Sequence, residues 1–323
     1  MLFLTNRVLK QSSLTRVGRS VDFDLRDTSA LASFFCCERQ EAGEYVEIGS
    51  GKFLQQLKES SAEQILIYIH GFNNQPEDAV FPRAQQLQQL FAQHAPGLVE
   101  VVPMIWPCRP LQGTSEFVVG YYSDQMAADD SDTACARVLA RLQDWQAENI
   151  QNEQPCLKRI NILAHSMGNR VLRGAIKRWG DDLLGRGPSL LFRNLLLVAA
   201  DLENETLERG HEGEPLVASA RNVVVYYSYD DLALRASKGA NVSLRSVSRR
   251  LGHTGPFDMT KVPANVFAID CDKVAMRYDP GRGHAYFLHD SKQKPGKVFE
   301  HILDCIRNHR PTCDAANRHI IEP

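Results

Sequence analysis

A serine stands at the abrupt end of an apolar run in Asn161-Ile162-Leu163-Ala164-His165-Ser166-Met167-Gly168-Asn169. Helix-forming sequence follows from Arg170 to Ile176. Strand, tight turn and helix put Ser166 at an apex, its Oγ projecting from the carboxyl end of a strand beside a helix N-terminus. Ala164 and Gly168 are small, as the close passage of strand and helix requires. Glycine is the usual residue at the first of these positions, and alanine still fits it. A hydroxyl presented in this way suits attack on a carbonyl carbon, provided that a base takes its proton and a third group orients the base. A plain buried strand-to-helix turn would use the same residues, so the partners decide.

Partner candidates lie at the ends of other apolar runs. Asn194–Ala200 ends in Asp201, Asn222–Ser228 ends in Tyr229-Asp230-Asp231, and Asn265–Cys271 leads to a Gly-rich loop with Gly281-Arg282-Gly283-His284. These runs read as strands buried on both faces. Asp230, Asp231 and Asp201 are the candidate acids, and His284 is the candidate base. His253 and His289 fit solvated or capping roles. Upstream, Ile65–Ile69 is another such strand and ends in His70-Gly71-Phe72-Asn73-Asn74. Cys156 and Cys271 are poor nucleophiles, the first at the wrong end of its strand and the second without a sharp turn.

Together these segments resemble the α/β-hydrolase superfamily, and within it the bacterial DUF900 group. The likeness is carried by Thr5-Asn6-Arg7, His70 to Asn74, Trp106-Pro107, Ala164 to Arg170, Tyr226/Ser228/Asp231/Ala233/Leu234, and Gly283-His284 before Tyr286-Phe287. It covers roughly residues 1–300. Where the group often has Ala-Pro-Asp, this chain has Ala199-Ala200-Asp201. The resemblance implies an α/β-hydrolase fold with a mostly parallel central sheet and helices on both faces. It also implies a triad in the order Ser166, Asp231, His284, favouring Asp231 over Asp230 and Asp201. The backbone amides of Phe72 and Met167 would form the oxyanion hole, with His70 packing beneath the loop. The expected activity is a serine esterase cleaving a carboxylic ester or thioester through an acyl-enzyme, with no metal and no organic cofactor. Acyl transfer by the same triad, or a catalytically silent binding module on this fold, are the alternatives.

The chain has 323 residues, 43% hydrophobic and 24% charged, enough for one α/β domain spanning 1–323. A net charge of −2 gives no drive toward nucleic acid or an anionic membrane. Met1-Leu2-Phe3-Leu4 is too short for a signal-peptide core, and no run of ~18 apolar residues spans a bilayer. The eight cysteines match neither a zinc pattern nor a disulfide scaffold. These features point to a cytoplasmic protein, and the resemblance implies a small acyl substrate; the oligomeric state is not legible.

Residues 1–50 read as antiparallel edge strands and cover. Residues 77–94 and 125–147 read as helices, with 107–124 as a loop between the strand at 99–106 and the second helix. Pro103 hints at an irregular strand. Residues 107–124 and 235–263 are candidate lid or pocket-wall insertions. The second carries Arg235, Lys238, Arg245, Arg249 and Arg250, which would either steer an anionic substrate or form a solvated surface. Asn169 and Arg170 read as helix-capping and helix-face residues, and 308–323 as a frayed tail.

Overall fold

The computed structural model describes residues 1–12, 14–110, 117–150, 156–235, 248–290, 292 and 294–323. The chain divides into two compact units, Met1–Ile160 with Gly174–Gly187, and Asn161–Arg173 with Pro188–Pro323. The sheet is mostly parallel and helices connect its strands, the α/β-hydrolase arrangement expected from the sequence.

The first unit holds β1 (Leu2–Arg7), β2 (Ser20–Val21), β3 (Ala30–Arg39), β4 (Tyr45–Glu47), α1 (Gly49–Glu59), β5 (Gln64–Ile69), α2 (Phe81–His94), β6 (Val99–Ile105), α3 (Phe117–Asp130) and α4 (Asp132–Ile150). Its strand order is β5-β6-β1-β3-β4-β2. β5 is buried at every position, as its unbroken apolar run requires, and pairs in parallel with β6. β1 runs parallel to β6 and antiparallel to β3, so it joins the parallel strands to an antiparallel margin. The ladder between β5 and β6 runs through Pro103 without a register shift, so the expected irregularity is not there. The loop expected at 107–124 is helical from Phe117 onward, and the helix expected over 125–147 is two helices meeting at Ser131. There the Ser131 hydroxyl donates to the Ala127 carbonyl and accepts from the Asn6 amide, local side-chain bonding of the kind that interrupts helices.

The second unit holds most of β7 (Arg159–His165), the start of α5 (Gly168–Arg178), then β8 (Phe192–Val198), α6 (Glu214–Ser219), β9 (Ala220–Tyr227), β10 (Val266–Asp270) and β11 (Arg318–Ile320). Its order is β11-β10-β9-β8-β7. A ladder of buried amides crosses the sheet near the start of these strands. Asn194 donates to Asn161 and Asn222 donates to Asn194, each at 2.7 Å. A one-residue slip would leave these amides unpaired, so the ladder helps fix the register. The expected fraying of 308–323 is corrected by β11, which pairs with β10 in parallel, and by Ile321, buried beside it.

Candidate functional site

β7 delivers Ser166 into the left-handed region, φ 54°, a conformation that costs a non-glycine residue on the order of 1–3 kcal/mol. Main-chain bonds hold it there. The Ser166 N–H donates to Val198 O at 3.0 Å, and the Ser166 carbonyl accepts N–H groups from Asn169 (3.1 Å) and Asp201 (3.2 Å). The fully buried Asn169 side chain adds donations to the carbonyls of Ser166 and Ala164, both at 3.0 Å. Asn169 is therefore an internal strap of the turn, not the helix cap expected from its position. Met167 directly precedes α5, where helix N–H groups lack partners within the helix.

The turn rests on a tight support. Ala199 also has positive φ, 46°, and an added Cβ on Gly252 would lie 2.1 Å from the Ala199 carbonyl carbon, so only glycine fits. Main-chain bonds from Leu251 to Leu202 O and from Gly252 to Ala200 O lock the two segments together.

Asp231 and His284 meet. His284 Nδ1 lies 2.7 Å from Asp231 Oδ2, and the Asp231 side chain is wholly buried while the His284 ring is 15% exposed. The second Asp231 oxygen accepts the Leu234 N–H at 2.9 Å. A carboxylate accepts only, so Nδ1 carries the proton in this pair and Nε2 of the neutral ring keeps its lone pair. Asp279 grips the backbone of the same histidine, its Oδ2 accepting N–H groups from His284 at 2.9 Å and Ala285 at 2.8 Å. The sequence reading missed Asp279, whose role is to accept two main-chain N–H groups. Gly283 has φ 61°, and a Cβ there would come within 2.8 Å of Met276 Sδ. His165, adjacent to Ser166, packs its ring against His284 with centroids 4.7 Å apart. The structure thus gathers the neighbour of Ser166, His284 and Asp231 into one cluster.

The other acids are placed differently. Asp230 is about half exposed and 4.0 Å from Arg235. Asp201 faces Arg250 Nε at 3.2 Å, both side chains 2% exposed. This is a Coulombic contact without aligned hydrogen-bond geometry at Nε. Arg250 also reaches Glu203 at 3.3 Å. Arg250 is therefore a buried structural cation, which removes it from the expected substrate-steering group. Arg249 is exposed, and Lys238 and Arg245 lie outside the described residues, as do all of residues 236–247 in the stretch 235–263 expected to form a lid or pocket wall. His253 accepts from Arg235 Nε at 3.3 Å, a surface role. Burial pushes the Cys271 thiol far above its ordinary range, which leaves it unreactive.

In the first unit, His70 follows β5 and is sealed. Its ring stacks on Trp106 at 5.1 Å, Nδ1 donates to Gly71 O at 2.9 Å, and Nε2 accepts the Trp106 N–H at 3.2 Å. Burial pushes the imidazole down to about 3. Arg7, wholly buried, donates to Cys108 O at 3.3 Å, and Gln75 donates to the same carbonyl at 3.0 Å. Asp124 accepts N–H groups from Asn73 at 3.2 Å and Arg109 at 2.8 Å, and burial raises its carboxyl to about 6. His70 thus braces the loop that carries Phe72 from below, and Arg7 meets the end of that loop at the Cys108 carbonyl it shares with Gln75. Phe72 belongs to this unit and Met167 to the other.

Among the described residues no group of three or more His, Cys, Asp or Glu side chains is placed to hold a metal ion. No described helix is long and apolar enough to cross a membrane. Among solved structures the chain is similar to esterase PE8, at 13% identity and TM-score 0.28, covering 58% of this chain and 81% of that one. It is also similar to phospholipase PlaB from Legionella pneumophila, at 15% identity and TM-score 0.28, covering 69% of this chain and 42% of that one. No curated protein matches the sequence. The model of the DUF900 family, described as alpha/beta hydrolase of unknown function, matches residues 49–289, and the chain belongs to that family.

Proposed function

We propose that the protein is a serine hydrolase that cleaves a carboxylic ester or thioester of a small acyl substrate. The observation that carries this reading is the Asp231–His284 pair at 2.7 Å, packed against the residue that precedes Ser166 at its strained apex. His284 Nε2 takes the Ser166 proton as Oγ attacks the carbonyl carbon. Asp231 holds the Nδ1–H tautomer and stabilises the imidazolium that forms. The Met167 amide donates to the developing oxyanion, and the Phe72 amide is the second donor expected from the sequence. The leaving alcohol or thiol receives the proton from His284. Water then attacks the acyl-enzyme with His284 again as base, releasing the acid and restoring Ser166.

A fluorophosphonate probe and a panel of esters of graded acyl length test this reading together. Wild-type protein should be labelled at Ser166. Ser166→Ala should lose labelling and about a million-fold in turnover while keeping the fold, as when a triad acts as a unit. Undiminished ester turnover by that variant would falsify the assignment.

A further inference from the structure

His284 is held at three points, and one of them leads back to the nucleophile. Asp231 holds ring Nδ1, and Asp279 holds the peptide N–H. The peptide carbonyl of His284 faces His165 Nε2 at 3.2 Å. A carbonyl can only accept, so His165 Nε2 carries a proton and donates it to this bond. The His165 ring also packs between two parts of the base's own loop, 4.7 Å from the His284 ring and 5.2 Å from Phe287. His165 is buried and is the last residue of β7, so its backbone is fixed by the sheet.

We infer that His165 is a positioning residue that ties the base loop to the nucleophile turn, setting the heading of His284 Nε2 toward Ser166. The inference rests on the proposed triad. The covalent neighbour of the nucleophile acts as a strut to the base, so a displacement of the sheet end moves both reacting groups together. Asp231 fixes rotation of the imidazole about its Nδ1 bond. Asp279 and His165 fix the peptide from which the ring hangs, on its two sides. Without the His165 bond the main chain of His284 keeps its two N–H bonds to Asp279 but loses its tie to the nucleophile strand, so the ring can shift relative to Ser166.

The test compares His165→Phe, which keeps a ring and loses the donor, with His165→Gln, which places an amide N–H near the Nε2 position. A circular-dichroism melt checks that each chain is folded. The Phe variant should lower kcat and the rate of fluorophosphonate labelling by about ten- to a hundredfold with KM within about twofold, the scale of sub-ångström misplacement of a reacting group. The Gln variant should recover most of that loss. If the Phe chain does not fold, His165→Asn replaces it, since its amide cannot extend as far. Equal losses in the donor-keeping and donor-lacking variants, or no loss in either, overturn the strut. Wild-type protein that is not labelled at Ser166 overturns the proposed function, and the strut with it.

Discussion

The loops that follow β8 and β9 each offer a buried aspartate, and they end in opposite chemistry. After β8, Asp201 is closed against Arg250, and its N–H supports the Ser166 carbonyl. After β9, Asp231 is closed against a histidine whose ring still reaches solvent. An arginine is always protonated and holds no proton to exchange, so an aspartate paired with it is spent on architecture. A histidine changes charge near neutral pH, so an aspartate paired with it can orient a base, the role proposed for Asp231. Burial alone does not distinguish the two acids; the partner does.

The largest expected effect falls on the second loop. Asp231→Asn should lower kcat on the best ester by about ten-thousand-fold, because the amide favours the wrong imidazole tautomer. Asp230→Asn and Asp201→Asn should each stay within about tenfold, a barrier change of about 1.4 kcal/mol. Steady-state kinetics on the three purified variants decides it. A severe loss in Asp201→Asn with a mild one in Asp231→Asn would exchange the roles of the two loops.

The apex and the strands were legible in the sequence because both are local. Unbroken apolar runs at β5, β7, β8, β9 and β10 leave few alternatives to buried parallel strands, and small residues around Ser166 mark the turn. The contrast between Asp201 and Asp231 was not legible locally. It depends on Arg250, which is 49 positions from Asp201 and reaches it only through the segment that Gly252 packs against Ala199. Five basic residues along one segment looked alike as a charge cluster, although one of them is buried. β11 was missed because Arg318-His319-Ile320 has no apolar run; pairing with β10, not hydrophobic pattern, makes it a strand. Asp279 and His165 escaped for a related reason, since their roles are bonds to main-chain atoms, which carry no residue-type signature.

The next effect is on stability and falls on the first loop. Arg250→Met leaves the Asp201 carboxylate buried without its cation. Breaking a buried pair from one side costs about 3–5 kcal/mol. Asp201→Asn should cost less, because Arg250 keeps Glu203 at 3.3 Å. The double variant should be more stable than Arg250→Met alone, since neither charge is then stranded. Urea unfolding midpoints for the three chains give this order. Equal, small losses would mean that the ion pair contributes little and that the Asp201 N–H bond to Ser166 O is the whole of its role.

The smallest expected effect carries the same comparison over to the two histidines. His70 is sealed against Trp106 with both ring nitrogens on main-chain atoms, and burial pushes it down to about 3. A depressed folded-state value means that the unfolded chain takes up the proton first. Stability is therefore unaffected by His70 above the ordinary histidine value. It falls as pH drops below about 6.5, by about 1.4 kcal/mol per pH unit, and the loss is complete only below the folded value. Asp124 has the opposite sign: its carboxyl, raised to about 6, is a stabilising contribution at low pH that is lost as pH rises through that value. Both chains in the comparison keep Asp124, so its contribution cancels. His70→Asn should be less stable at pH 7, through the lost ring stack, yet its unfolding free energy should fall less steeply between pH 6.5 and 4.5, by about one proton's worth of slope. Chemical unfolding at several pH values measures that slope. Parallel slopes in the two chains would show that His70 takes up a proton in the folded state, and that its seal is looser than its main-chain bonds indicate.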